Sequence, residues 1–149
     1  MNSLLKDARL TGVVVIFSLI IVGLVSYAVG SNSTEVRGYS AVYYCALIAI
    51  GVQWLAWVPA SIWKTERFYD LAGGLTYLSI VSFSLWAGSL DNSPGLREIL
   101  VSSLVVIWSL RLSGFLYLRI HKAGKDGRFD DLKTSPIRFL VPWTLQGLW

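Results

Sequence analysis

Charge is scarce in this sequence. Asp, Glu, Lys and Arg make up 15% of its 149 residues, against about 25% in an average soluble domain. What charge there is falls in short segments and leaves long stretches nearly bare. A soluble fold would have to bury most of the chain, and a domain of this size has too little interior for that. Cysteine and histidine are almost missing. The single cysteine, Cys45, excludes an intrachain disulfide, and its apolar surroundings make it a small hydrophobe. The single histidine, His121, has no second imidazole to join it, so no metal site and no His-based triad is expected. No exposed segment interleaves basic and aromatic residues, so nucleic acid is not an expected partner.

What is present instead is a set of apolar runs. A membrane-spanning helix needs about 20 largely apolar residues. Four runs qualify, over residues 12–30, 39–63, 71–90 and 99–118. A fifth, "IRFLVPWTLQGLW", begins at Ile137 and stops with the chain at Trp149. The expected fold is all-α: a polytopic membrane helical bundle forming one domain over 1–149, with four complete transmembrane helices and the start of a fifth. The first run follows Lys6 and Arg9, as a signal peptide would. Its apolar stretch exceeds the roughly 7–15 residues of a signal core, so it reads as a retained anchor.

Basic residues set the expected orientation. Ten Lys and Arg fall before the first run, between the second and third, and after the fourth; only Arg37 and Arg97 fall in the alternate segments. Basic loops stay in the cytoplasm, so the N-terminus is expected there. The membrane is expected to be a bacterial inner membrane or a eukaryotic endomembrane. The net charge of +4 then reflects topology and attraction to membrane lipids. Pairs of small residues four apart, Ser84/Gly88 and Ser109/Ser113, would let helices approach closely.

"WSLRLSGFLYLR", residues 108 to 119, places Arg111 inside the fourth run. It lies eight residues before Arg119, hence about 12 Å deeper at 1.5 Å per residue. A charge there costs roughly 2.5–3.5 kcal/mol on insertion scales, which calls for polar company inside the bundle. Matching depths along antiparallel helices selects Gln53 and Tyr77, with Thr76 beside them, as a buried polar layer with Arg111. Two roles are open for Arg111: fastening helices together, or lining a pocket where its planar donor fork meets a carbonyl or an anionic group. Asp70, at the start of the third run, reads as an N-cap and as a partner for Arg119, with Gly73 and Gly74 leaving room for a neighbouring helix.

"RIHKAGKDGRFDDLKTSP", residues 119 to 136, is the one sizeable polar segment. It matches no phosphate-binding signature. It reads either as a topogenic loop lying on headgroups or as a cofactor-proximal loop in which Lys125 and Arg128 neutralise phosphate. Asp130 and Asp131 are neighbours and would point apart on a helix, which makes them a poor acid/base pair.

Three stretches taken together, "TERFYDLAGGLTYLS", "WSLRLSGFLYLRIHKAGKDGRFDDLK" and "WTLQGLW", resemble the family of multi-pass membrane proteins called domain of unknown function 1295. The resemblance covers roughly residues 40–149. That family is grouped with the steroid 5-alpha-reductase C-terminal domains and, more distantly, with isoprenylcysteine carboxyl methyltransferases. The resemblance implies reduction by NADPH of a polarised carbon–carbon double bond in a lipid-like molecule, a sterol or an enone. The alternatives it leaves open are an S-adenosylmethionine-dependent membrane methyltransferase and a non-enzymatic membrane protein. The related enzymes carry an Asn-Tyr or His-Pro-rich cofactor motif near their C-terminal end, and this sequence has none. Ending 13 residues into a fifth run, the chain reads as the N-terminal part of a longer protein, and the fragment alone is expected to be inactive.

Overall fold

The computed structural model describes the backbone of residues 2–149 and the side chains of residues 7–149. Lys6, counted above for orientation, therefore lies outside the described side chains. Five helices follow one another: α1 (Asn2–Gly30), α2 (Ala41–Trp63), α3 (Tyr69–Ser89), α4 (Leu96–Ala123) and α5 (Pro136–Leu148). The first four are long and apolar enough to cross a membrane. All four anticipated spans are there, and α4 extends about one turn beyond its apolar run at each end. At 13 residues, α5 is about 20 Å long, shorter than the roughly 30 Å hydrocarbon core. The chain is an α-helical, multi-pass membrane protein.

Between α1 and α2 sits an element the apolar pattern did not announce. A small antiparallel hairpin pairs β1 (Glu35–Val36) with β2 (Tyr39–Ser40). Its two turn residues, Arg37 and Gly38, have φ of 52° and 81°, as a two-residue turn matching strand twist demands. Ser40 ends the hairpin and caps α2, accepting from the Val42 N–H at 3.2 Å.

Helix packing follows the small residues. At Gly74 a Cβ would stand 2.5 Å from Ser113 Oγ, and at Gly147 one would stand 2.9 Å from Ile50 Cδ1. Gly74 thus lets α4 close on α3, and Gly147 lets α5 close on α2. The Ser109/Ser113 pair does face a helix, as its spacing suggested: Ser109 Oγ donates to the Gly74 carbonyl at 3.2 Å. Gly88 has nothing within 4 Å of where its Cβ would be, while Ser84 meets only Cys45. The α5 helix lies against α1 and α2, and α4 packs chiefly on α3. Several hydroxyls within the spans donate to carbonyls one turn back, as at Ser18 and Val14, Thr76 and Ala72, and Ser113 and Ser109. Hydrocarbon offers them no water, so this local bond is the available partner.

Apolar burial concentrates at one end of the bundle. Ala60, Ala72, Phe129, Phe139 and Trp143 form a core there, with Trp57, Phe68, Tyr69 and Leu132 against it. The polar segment after α4 is pinned to this core by Phe129 and reinforced by hydrogen bonds. The Trp57 indole donates to the Pro136 carbonyl at 3.1 Å, and the Tyr69 hydroxyl to the Pro142 carbonyl at 2.9 Å. The second tie also joins the start of α3 to α5.

Candidate functional site

The α3 sequence places Asp70, Gly73, Gly74 and Tyr77 at i, i+3, i+4 and i+7, one stripe of a helix. On α4, Ser109, Leu112, Ser113 and Leu116 repeat that spacing. The two stripes face each other, and with Gln146 of α5 they enclose a chamber of about 70 Å³. Glycine and serine supply too little volume to fill the space. Trp108 closes one wall, its ring edge-on to Tyr77 with centroids 5.1 Å apart.

The chamber opens into a larger cleft of about 970 Å³. Ile21 and Val25 of α1, Ala46 and Ala49 of α2 and Leu112 of α4 give it apolar walls. Its polar groups are few: Ser26, Thr76, Gln146, the two tyrosines Tyr69 and Tyr77, and Arg128. A volume of this size with sparse polar groups suits a molecule of drug or lipid dimensions.

The anticipated polar layer is present in part. Gln53 is completely buried, and its Nε2 donates to Thr76 Oγ1 at 2.8 Å. Tyr77 turns instead toward Trp108 and the chamber. Arg111 is not in the layer. Its side chain is exposed on α4 and makes no hydrogen bond or ion pair among the described residues. The cause is rotation about the helix axis. Ser109 and Ser113 face α3, and Arg111 stands two residues from each, about 200° around the helix. Equal depth does not make two residues neighbours when one of them faces outward.

Asp70 also differs from expectation. It is not the cap of α3, since Phe68 holds that position without a side-chain bond, and Asp70 sits in the first turn. Nor does it pair with Arg119, whose guanidinium lies 3.9 Å from Asp126. One Asp70 oxygen, Oδ2, is buried and has no hydrogen-bond partner, and neither has Gln146 Oε1. Both residues line the chamber. Neither Gln146 nor Glu66 was singled out from sequence. The signal for Gln146 was available: it is the one amide in an otherwise apolar run.

Outside the spans, the polar segments interlock. Glu66 is 2% exposed. Its Oε1 accepts from the Asp126 N–H and its Oε2 from Lys133 Nζ, each at 2.9 Å. Burial alone would raise the Glu66 carboxyl, but the Asp126 N–H and the Lys133 ammonium outweigh it and hold the pKa below the usual carboxylate range. Lys133 is lowered by burial and raised by Glu66 and Asp130, with a net upward shift. Asp126 is held low by the hydrogen-bonded Arg128 guanidinium, whose Nε lies 3.0 Å from each carboxylate oxygen. Lys125 Nζ meets Asp130 at 2.9 Å. The two polar segments thus meet at one end of the bundle, as an alternating path of spans requires.

A model of the family described as a protein of unknown function, DUF1295, matches residues 56–149. No curated protein and no solved structure matches the chain. The matched region contains Asp70, Gln146, the α3 and α4 stripes and the interlocked polar segments. The α1 wall of the cleft and Gln53 lie before it.

Proposed function

Since the chain belongs to the DUF1295 family, matched from α2 to its last residue, we propose that it is the lipid-holding part of an NADPH-dependent reductase of carbon–carbon double bonds. The observation that carries the reading is the apolar cleft of about 970 Å³, with few polar groups and with Tyr69 and Arg128 at one end. A sterol or enone lipid reaches such a cleft from the bilayer without crossing water. Its apolar body replaces hydrocarbon against α1 and α2, so binding is selected by shape and by the polar end.

NADPH would bring a pyrophosphate and a further phosphate. Three of the basic residues after α4 are not free to meet those groups. Lys125 is engaged by Asp130, Arg128 by Asp126 and Lys133 by Glu66. No glycine-rich turn offers a row of free N–H groups in their place. Reduction needs a hydride at one carbon and a proton at the other, and no step of that transfer is assigned to these side chains. Their task in the proposed reaction is to hold and orient the lipid. The N-terminus is placed in the cytoplasm, because the segments richest in Lys and Arg share that side.

Three measurements test the reading. A diazirine-bearing enone sterol should crosslink saturably to α1 and α2 of the protein in lipid nanodiscs, and Ala46→Trp should abolish the crosslink. Membranes containing the whole reductase of which this chain is proposed to be the lipid-holding part should convert the enone to its dihydro product when NADPH is added. Crosslinking without product overturns the reduction, and loss of both overturns the lipid cleft as well. Labelling of Lys125→Cys from the cytoplasmic side, and of Asn92→Cys from the other, checks the orientation.

A further inference from the structure

The chamber beside the cleft has a chemical character of its own. It shares Gly73, Tyr77, Trp108, Leu112 and Gln146 with the cleft, so the two are continuous. Two of its lining residues, Asp70 and Gln146, each carry an oxygen, Oδ2 and Oε1, that is shielded and accepts nothing. A buried acceptor left without a donor destabilises the fold, and more so when it is charged. The serine hydroxyls do not relieve it. Ser109 donates to the Gly74 carbonyl and Ser113 to the Ser109 carbonyl. Their oxygens therefore turn lone pairs, not protons, toward the space. Gln146 Nε2 is directed at Gly73, where it would stand 2.5 Å from an added Cβ.

We propose that this chamber receives the hydroxyl-bearing end of the lipid whose body fills the cleft. The inference rests on the lipid-cleft reading and narrows its substrate class to an unsaturated alcohol. A volume of about 70 Å³ takes two groups the size of water at about 30 Å³ each: one hydroxyl, and one water or the carbon that bears the hydroxyl. The hydroxyl proton goes to the Asp70 carboxylate, and the second group lies against the Gln146 amide. A ketone carries no proton to give the Asp70 carboxylate.

The test uses a diazirine-bearing sterol with a free hydroxyl and the ketone of the same skeleton, each titrated against the protein in nanodiscs. The alcohol should crosslink with an apparent affinity at least about tenfold higher than the ketone, because a site built to bond a hydroxyl rejects the analogue without one. Asp70→Asn keeps the shape and adds an amide donor, so the preference should shrink or invert while total crosslinking persists. Gln146→Leu removes an acceptor without adding a donor and should also reduce the preference. Equal affinity for alcohol and ketone in the wild-type protein overturns the chamber assignment and leaves the cleft standing. Failure of both probes to crosslink overturns the cleft together with the chamber. An unchanged preference in Asp70→Asn, with the thermal midpoint preserved, removes Asp70 from the role.

Discussion

Gln53 of α2 and Thr76 of α3 are joined by a 2.8 Å hydrogen bond at a point where neither residue touches solvent appreciably. Thr76 passes its own proton to the Ala72 carbonyl at 2.8 Å. The two bonds form a relay, and the relay is asymmetric. Thr76→Val removes the acceptor and strands a buried amide, a loss of about 1–3 kcal/mol. Gln53→Leu removes the amide itself, together with its unpaired Oε1, and leaves Thr76 satisfied. Thermal unfolding in detergent should therefore rank Thr76→Val below Gln53→Leu. The opposite ranking would mean that packing of the glutamine, not its bond, holds the helices.

Gly74 of α3 and Ser113 of α4 pack closely against each other. An alanine at 74 would bring its Cβ to 2.7 Å from the Ser113 Cβ. Neither backbone has slack, so Gly74→Ala should cost about 1–3 kcal/mol through overpacking. Ser113→Gly removes both atoms that would clash. The double variant should recover most of the loss, and a double-mutant cycle on thermal midpoints reads the coupling.

Glu66 gives the polar end of the bundle a defined pH response. Its carboxyl is held below the ordinary range. The stabilisation is therefore complete above the unfolded-state value near 4.3 and is lost as pH falls through the lower folded value. Lys133 is shifted upward, so its share is complete below the unfolded-state value near 10.4 and is lost as pH rises through the raised one. Amide exchange at Asp126 should stay slow across neutral pH and accelerate at both extremes. Glu66→Gln should cost about 1.5–3 kcal/mol by removing a charge-assisted bond and should flatten the acid limb. Identical acid limbs in the two proteins would contradict this assignment.

Arg111 stands on the outer face of α4, so its removal should not weaken the bundle. Arg111→Leu is expected to favour insertion of α4 by roughly 2.5–3.5 kcal/mol and to leave the thermal midpoint unchanged or raised. A translocon insertion assay and a melt measure the two effects. A lowered midpoint would reveal a polar partner for the guanidinium.

The spans were legible because hydrophobic length has no competing explanation over twenty residues. The hairpin was not, because its signal is a single Arg37-Gly38 step between two apolar runs. Depth was legible too, and it brought Gln53 and Thr76 together correctly. Rotation was the missing coordinate for Arg111, although the Ser109/Ser113 pair already marked the α3-facing side of α4. Asp70 was selected for a local reason, capping, whereas its chamber depends on α5, which meets α3 through tertiary contacts such as Tyr69 with Pro142 and Gly73 with Gln146. Glu66 looked like one more loop charge. Its burial requires partners 60 and 67 residues away, and no local pattern carries that information.

That separation has a consequence for biosynthesis. Glu66 leaves the ribosome 60 residues ahead of Asp126, and at about 5–20 residues per second the interval is roughly 3–12 s. Through that time its carboxylate must remain in water, while α3 and α4 enter the bilayer behind it. Closing the polar clasp is thus a late step of assembly, and it reports that both later helices have threaded in the correct directions.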